Sequence, residues 1–419
     1  MKRIEIKNAK HFASSEKVTI YIENGVFTDS LSADADEVID AEGLTVFPGL
    51  IDMHCHLREP GFEYREDIKS GTKSAAKGGF TSVCCMPNTK PVCDNAAVVE
   101  GILRKAEQVG SCHVFPIGAA SKGLEGKEIS EMGLMKEAGI VAVSDDGKPI
   151  ATANLLKKVL EYASDFDIPV LNHCEEMSIS EGAMNEGAIS TALGLRGIPA
   201  IAEEIMISRD IQTAEYLDMP IHICHVSTRK GIEIIRQAKK RGVKVTCETC
   251  PHYFSLTEEC CQTYDTNFKM NPPLRTEDDR LAVIEGIKDG TIDCIVTDHA
   301  PHHIDEKDLE FSLANNGIIG FETAFAVGYT YLVKTGSISL TDMIKTMTTN
   351  PSDILKLGRG TMDKGMPADV MLADLNETFV YTKEEILSKA ENSPYIGEEL
   401  TGRVKLTIAG GSITYDELR

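Results

Sequence analysis

The 419-residue sequence has no apolar stretch long enough to span a bilayer. Its longest, Gly317–Val333, carries Glu322 and several hydroxyls and reads as a buried helix. Positive charge is in deficit: 43 Lys and Arg face 65 Asp and Glu, a formal net charge of −22. A field of that sign repels phosphate backbones and anionic lipid, which argues against nucleic acid and membrane surfaces as partners. It also means that an anionic substrate needs a local cationic site. With 34 glycines and 16 prolines the chain lies well short of low-complexity or collagen-like composition. No internal repeat is present. Met1–Ile6 alternates charged and apolar residues and reads as a strand, not as a hydrophobic leader. The 12 cysteines are scattered, which suits reduced thiols in a cytoplasmic enzyme better than a disulfide framework. Gly78-Gly79 lacks the spacing of a phosphate loop and more simply ends a helix.

What is present is a large hydrophobic share, 42% of residues, in an ordered pattern. Residues 1–43 read as short strands with turns at Glu23-Asn24-Gly25 and Asp34-Ala35-Asp36. From Leu44 to about residue 350, short apolar runs alternate with amphipathic segments. Eight runs are countable: Val46–Met53, Phe80–Met86, His113–Gly118, Ile140–Ser144, Pro169–His173, Pro220–His225, Val243–Thr249 and Asp293–Asp298. Between them lie helical patterns at Arg65–Lys77, Ala96–Val109, Asn154–Ser164, Ile201–Tyr216, Lys230–Lys240 and Asp278–Lys288. Alternating strand and helix implies parallel strands with right-handed crossovers, and eight such units close into a (β/α)8 barrel. The open doubly wound sheet is the competing architecture. After residue 357 strand-and-turn texture returns, so the expectation is a catalytic barrel over 44–357 beside a small β domain built from 1–43 and 358–419.

Residues suited to bind metal fall where the runs end. The first closes on Asp52-Met53-His54-Cys55-His56; positions i and i+2 of an extended segment point the same way, so His54 and His56 can hold one ion together. The fourth ends in Ser144-Asp145-Asp146-Gly147, the fifth in Asn172-His173, the sixth in His222-Ile223-Cys224-His225, the eighth in Thr297-Asp298-His299. In a barrel those ends meet at one mouth, where active sites sit. A lone strand-end histidine is usually structural, but packing does not explain five ends that each supply His or Asp. Nitrogen and carboxylate donors without thiolates suit zinc best, ahead of manganese or cobalt. Cys247-Glu248-Thr249-Cys250 has no second pair to make a zinc or redox site, and Cys55, between two histidines, faces the other way into packing.

The segments Asp52–Gly61, Met86-Pro87-Asn88-Thr89, Glu248–Tyr253 and Asp298-His299-Ala300-Pro301-His302, together with Gly365-x-x-Ala368-Asp369, resemble the dihydroorotase family of the amidohydrolase superfamily. The resemblance covers nearly the whole chain. It implies reversible interconversion of dihydroorotate and N-carbamoyl-aspartate in pyrimidine synthesis, with one or two zinc ions per chain. It implies ligands at His54, His56, Asp146, His173, His225 and Asp298. Some relatives bridge two metals with a carboxylated lysine at strand four; here Lys148 lies beyond the turn, so the sequence is similar to the aspartate-using type. The resemblance favours Asp146, while spacing alone does not separate it from Asp145. It makes Asp298 both ligand and general acid/base, acting on water whose pKa zinc lowers to about 7. Arg58, with a planar fork suited to the substrate carboxylate, and His302 are the implied carboxylate partners; Asn88 and Asn271 can add amide contacts. The blander readings are an Arg58 ion pair with Glu59 or Glu63, and turn roles beside proline for Asn88 and Asn271. A homodimer, and association with aspartate transcarbamoylase as in some family members, follow from the same resemblance. The rival functions are another cyclic-amide hydrolase, of allantoinase or hydantoinase type, and a catalytically dead scaffold.

Overall fold

The computed structural model describes residues 2–418. Eight parallel strands pair in chain order: β1 (Leu50–Cys55), β2 (Phe80–Cys85), β3 (His113–Ala119), β4 (Ala142–Ser144), β5 (Val170–Asn172), β6 (Ile221–Ile223), β7 (Val245–Thr249) and β8 (Cys294–Ile295). Each is buried on both faces or nearly so, as parallel strands covered by helices must be. The ring closes between β8 and β1 through backbone bonds from Asp298 N to His54 O (3.0 Å) and from His56 N to His299 O (2.8 Å). Deeper in that seam the Asp52 carboxylate takes the place of a ladder, accepting from Thr297 N (3.1 Å) and Thr297 Oγ1 (2.5 Å). The result is the (β/α)8 barrel read from the sequence.

The helices start where side chains satisfy the first free amides. Asn95 caps Ala96–Val109, Thr228 caps Arg229–Lys240 and Thr276 caps Glu277–Lys288, each accepting an amide bond three residues on. The first helix is shorter than its pattern suggests. Asp67 accepts from Ser70 N at 2.8 Å, so the helix is Ile68–Lys77 and Arg65 stays outside it.

A second eight-stranded sheet holds Arg3–His11, Lys17–Glu23, Val26–Thr28, Glu37–Asp40, Thr45–Pro48, Val370–Val380, Glu399–Ala409 and Ser412–Asp416. The turn at Asn24-Gly25 has φ of 58° and 79°, the left-handed pair that a tight hairpin needs. The run Val46–Met53 corrects the sequence reading, because it is two elements. Thr45–Pro48 pairs antiparallel with Val370–Ala373, and only from Leu50 does the chain enter the barrel. The transfer happens over two amides: Gly49 N bonds Asp369 O (2.9 Å), and Leu50 N bonds Gly79 O (3.0 Å). Asp369 ties the corner together, accepting from Arg359 Nη1 (2.8 Å) and Gly410 N (2.8 Å), with His113 Nε2 at 3.3 Å. The Gly317–Val333 run is helical only in its second half, Ala324–Gly328 followed by a wider turn over Tyr329–Val333. Its start is extended because Ile318 bridges to His299. No described helix is long and apolar enough to cross a membrane.

Candidate active site

A cavity of about 400 Å³ opens at the C-terminal ends of the barrel strands, lined by His56, Arg58, Asn88, Asp146, Asn271, Asp298 and His302 among others. The side chains singled out in the sequence therefore converge from strands far apart in the chain. His54 and His56 leave the end of β1 on the same side, as their i, i+2 spacing requires.

Two groups of donor atoms flank Asp146. On one side His56 Nε2 lies 3.2 Å from Asp298 Oδ1 and 3.4 Å from Asp146 Oδ2. His54 Nε2 lies 3.3 Å from Asp146 Oδ1 and 3.6 Å from Asp298 Oδ1, yet it is buried and makes no hydrogen bond. On the other side His173 Nδ1 and His225 Nε2 are 2.9 Å apart, at 3.7 and 3.4 Å from Asp146 Oδ1. The sets His54–His56–Asp298 and His54–Asp146–His225 each bring their donor atoms within 4.8 Å of one another. An unpartnered buried imidazole nitrogen aimed at two carboxylates is costly without a cation to bind. Nitrogen plus carboxylate donors in this number fit one or two zinc ions. Asp145, which spacing left open, points elsewhere: it accepts from Ser121 N (2.8 Å) and Ser121 Oγ (2.6 Å).

The electrostatics follow from burial and mutual pairing. Burial alone would raise the Asp146 and Asp298 carboxyls. The His54 charge and histidine hydrogen bonds hold Asp146 well below its usual range, while the His56 hydrogen bond, aided by the His54 charge, lowers Asp298. Burial likewise works against a charged His54, but Asp146 and Glu248 outweigh it and lift the imidazole well above its usual value. Glu248 is the supporting residue that sequence reasoning quoted but left without a role. Its Oε1 meets His54 Nδ1 at 2.5 Å and its Oε2 meets His222 Nε2 at 3.2 Å, while His222 Nδ1 is held by Thr246 Oγ1 at 2.8 Å. Similarly, Asn88 Oδ1 meets His56 Nδ1 at 2.9 Å, and Glu175 Oε2 meets His173 Nε2 at 2.9 Å while accepting from Asn271 Nδ2 at 3.0 Å.

Arg58 is buried beside this centre and has no carboxylate within ion-pair distance among the described residues; its Nε donates to Pro301 O at 3.2 Å. The ion pairs with Glu59 and Glu63 are thus not formed. Burial and the neighbouring Arg65 bring its guanidinium down to about 10, still charged at neutral pH. His302 stands 3.4 Å from Arg58 Nη2, with Nε2 2.8 Å from Asn316 O and Nδ1 3.3 Å from Glu306 Oε2. Burial, Arg58 and Arg65 depress it to about 3, so it is a neutral imidazole. Arg65, left in the helix by its sequence pattern, lines the cavity and pairs with Glu306; Asn315, Asn316 and Gly317 complete the wall.

Backbone strain gathers here. Arg58, His225 and Asp298 have φ of 61°, 32° and 46°, a region that side chains other than glycine rarely adopt and that recurs at active sites. Two glycines are required sterically. Gly147 has φ 85°, with Asn88 Nδ2 3.2 Å from where a Cβ would stand, and Gly317 has φ 130°, with Ala300 Cβ at 2.7 Å.

Comparison with known proteins agrees with this architecture. A family profile described as "Dihydro-orotase-like" matches residues 43–231. The dihydroorotase of Acetivibrio thermocellus is 55% identical over 402 residues, covering 95% of this chain and 94% of that protein. The dihydroorotase of Ruminiclostridium cellulolyticum is 58% identical over 377 residues, covering 90% and 88%. Among solved structures, an L-hydantoinase from Arthrobacter aurescens superposes with a TM-score of 0.89 at 23% identity over 100% of this chain and 97% of that one, a likeness of fold.

Proposed function

This chain belongs to the dihydroorotase family of enzymes, and from that membership we propose that it interconverts dihydroorotate and N-carbamoyl-aspartate, with zinc held by His54, His56, Asp146, His173, His225 and Asp298. The observation that carries the reading is the meeting of Asp298 with the histidine cluster beside a buried guanidinium that has no ion-pair partner.

Zinc in this cluster would polarise the ring carbonyl and make water more acidic. The chain's own groups do the rest. Arg58, a planar two-pronged donor, binds the substrate carboxylate, with His302 beside it. Asn88 and Asn271, their other contacts fixed by His56 and Glu175, turn amide groups toward the ring. Asp298 takes a proton from the attacking water as the new C–O bond forms. It returns that proton to the ring nitrogen as the C–N bond breaks. Ring closure runs through the same groups in reverse, starting from protonated Asp298.

A carboxylated lysine is not part of this reading, because Lys148 Nζ donates to Leu124 O (3.3 Å). Activity of metal-reconstituted enzyme is therefore expected to be indifferent to bicarbonate. The test is ring opening of dihydroorotate, with hydantoin and allantoin assayed alongside, before and after chelation and zinc re-addition. Dihydroorotate turnover lost on chelation and restored by zinc is the expected result. Full activity in metal-free protein, or preference for hydantoin or allantoin, would overturn the reading. A role in pyrimidine synthesis, a cytoplasmic location, a homodimer and association with aspartate transcarbamoylase belong to the same proposal. Light scattering of the enzyme alone and mixed with that transcarbamoylase tests the last two.

A further inference from the structure

The substrate wall that carries His302 and Gly317 is fastened by a residue from outside the barrel. Asn392 lies in the segment between the strands Val370–Val380 and Glu399–Ala409 and is buried. Its Nδ2 donates to Gly317 O (2.9 Å) and Ala300 O (3.2 Å). Its Oδ1 accepts from His302 N (3.3 Å), and its backbone carbonyl accepts from Ile319 N (2.9 Å). One planar amide thus bonds both loops that border the carboxylate end of the cavity, 299–302 and 315–319. Those loops touch so closely that a Cβ at Gly317 would collide with Ala300 and stand 3.3 Å from the His302 ring, so their spacing leaves little slack. The same segment makes other bonds that do not reach these two loops: Ser388 Oγ bonds Glu66 Oε2, and Tyr395 OH bonds Ser255 Oγ at 2.7 Å.

We propose that Asn392 is a positioning residue that fixes the spacing of these two loops and so sets how well the substrate carboxylate is captured. The inference rests on the reading that Arg58 and His302 receive that carboxylate. Only an amide supplies two donors and an acceptor in one plane; aspartate keeps the acceptor and loses the donors, and serine keeps a single hydroxyl. The loops contact the end of the substrate that does not react, so the loss falls on binding shared by ground and transition states and appears in KM.

The experiment compares wild type with Asn392→Asp, Asn392→Ser and, as a control in the same segment, Tyr395→Phe. Steady-state constants in both directions, zinc per chain and the thermal midpoint are measured. The Asn392 variants are expected to raise KM for dihydroorotate and for N-carbamoyl-aspartate about tenfold, with kcat within about threefold and zinc content unchanged. Tyr395→Phe is expected to lower the midpoint and leave KM alone. Unchanged KM, a loss confined to kcat, loss of zinc, or failure of both Asn392 variants to fold would each overturn the clamp. Wild type without dihydroorotate turnover would instead overturn the functional reading on which it rests.

Discussion

Partly buried Asp298 and buried Arg58 both sit on strained backbone, and the separable tasks proposed for them are told apart by substitution. Asp298→Asn removes the proposed proton carrier, so turnover is expected to fall by ~10²–10⁴ and saturating substrate is expected not to restore it. Arg58→Lys keeps a charge but loses the planar fork, so KM is expected to rise with a smaller effect on kcat. Steady-state kinetics in both directions checks both; near-normal turnover in Asp298→Asn would reassign the base. Glu248 makes a different kind of contribution. It orients His54 through Nδ1 and is itself fixed by His222. Glu248→Gln is expected to weaken zinc binding by about 10–100-fold, the usual cost of losing a partner behind a metal-binding imidazole. Competition with a chromogenic chelator measures this without any assay of activity. None of this support was visible in the sequence, because Glu248 and His54 are 194 residues apart. The i, i+2 pair His54 and His56 was legible since it needs only a strand. Asp145 and Asp146 were not separable, because adjacent residues leaving a strand diverge in a way that only their partners decide.

Strands and helices were the most legible elements, and connections the least. Ala96–Val109 has the bounds its periodicity gives, because Asn95 caps it and Gly110 follows it. The Thr45–Pro48 strand was fused with β1 because both are apolar, and the change of sheet at Gly49 has no signature in hydrophobicity. The segment 308–317 has no regular structure through most of its length, so nothing in the sequence marks it as a pocket wall. Two buried amines shape it. Lys307 Nζ donates to Asn315 O (2.9 Å), Gly317 O (3.1 Å) and Lys269 O (3.3 Å), and Lys269 Nζ donates to Ser312 O (3.0 Å) and Ala314 O. Burial, with the charge of Lys269 adding to it, lowers Lys307 to about 7. The folded chain thus holds that proton less tightly than the unfolded one, and the penalty is complete below pH 7. It is relieved as pH rises from about 7 toward the ordinary lysine range. Wild type is therefore expected to gain stability relative to Lys307→Met between pH 7 and 9, as read by denaturant unfolding at each pH. An unchanging difference would show that the amine keeps its charge across that range.

In the whole molecule, the buried carboxylate of Asp369 stands at the corner where the chain passes from the mixed second sheet into the barrel. Asp369→Ala leaves half-buried Arg359 without its ion-pair partner and frees the Gly410 amide, and unmet hydrogen-bonding groups of this kind cost about 1–3 kcal/mol. The expected outcome is a lower thermal midpoint with kcat and KM of the remaining folded enzyme nearly unchanged, since the site is elsewhere; a selective loss of turnover would contradict it. The excess of negative charge, read from composition as a barrier to anionic substrates, is answered locally by Arg58 and Arg65 at the mouth, with Lys269 and Lys307 behind the wall. The sheet order has a consequence for the making of the protein. Strands from residues 3–48 are synthesised before the barrel and pair with a strand from residues 370–380 synthesised after it. On the ribosome the early strands therefore wait, with an open edge at Thr45–Pro48, while the whole barrel emerges. Asn392 arrives later still, so a nascent chain can assemble its histidine cluster before the loops 299–302 and 315–319 are fastened together, and on the role proposed for Asn392 full substrate capture trails the folding of the barrel.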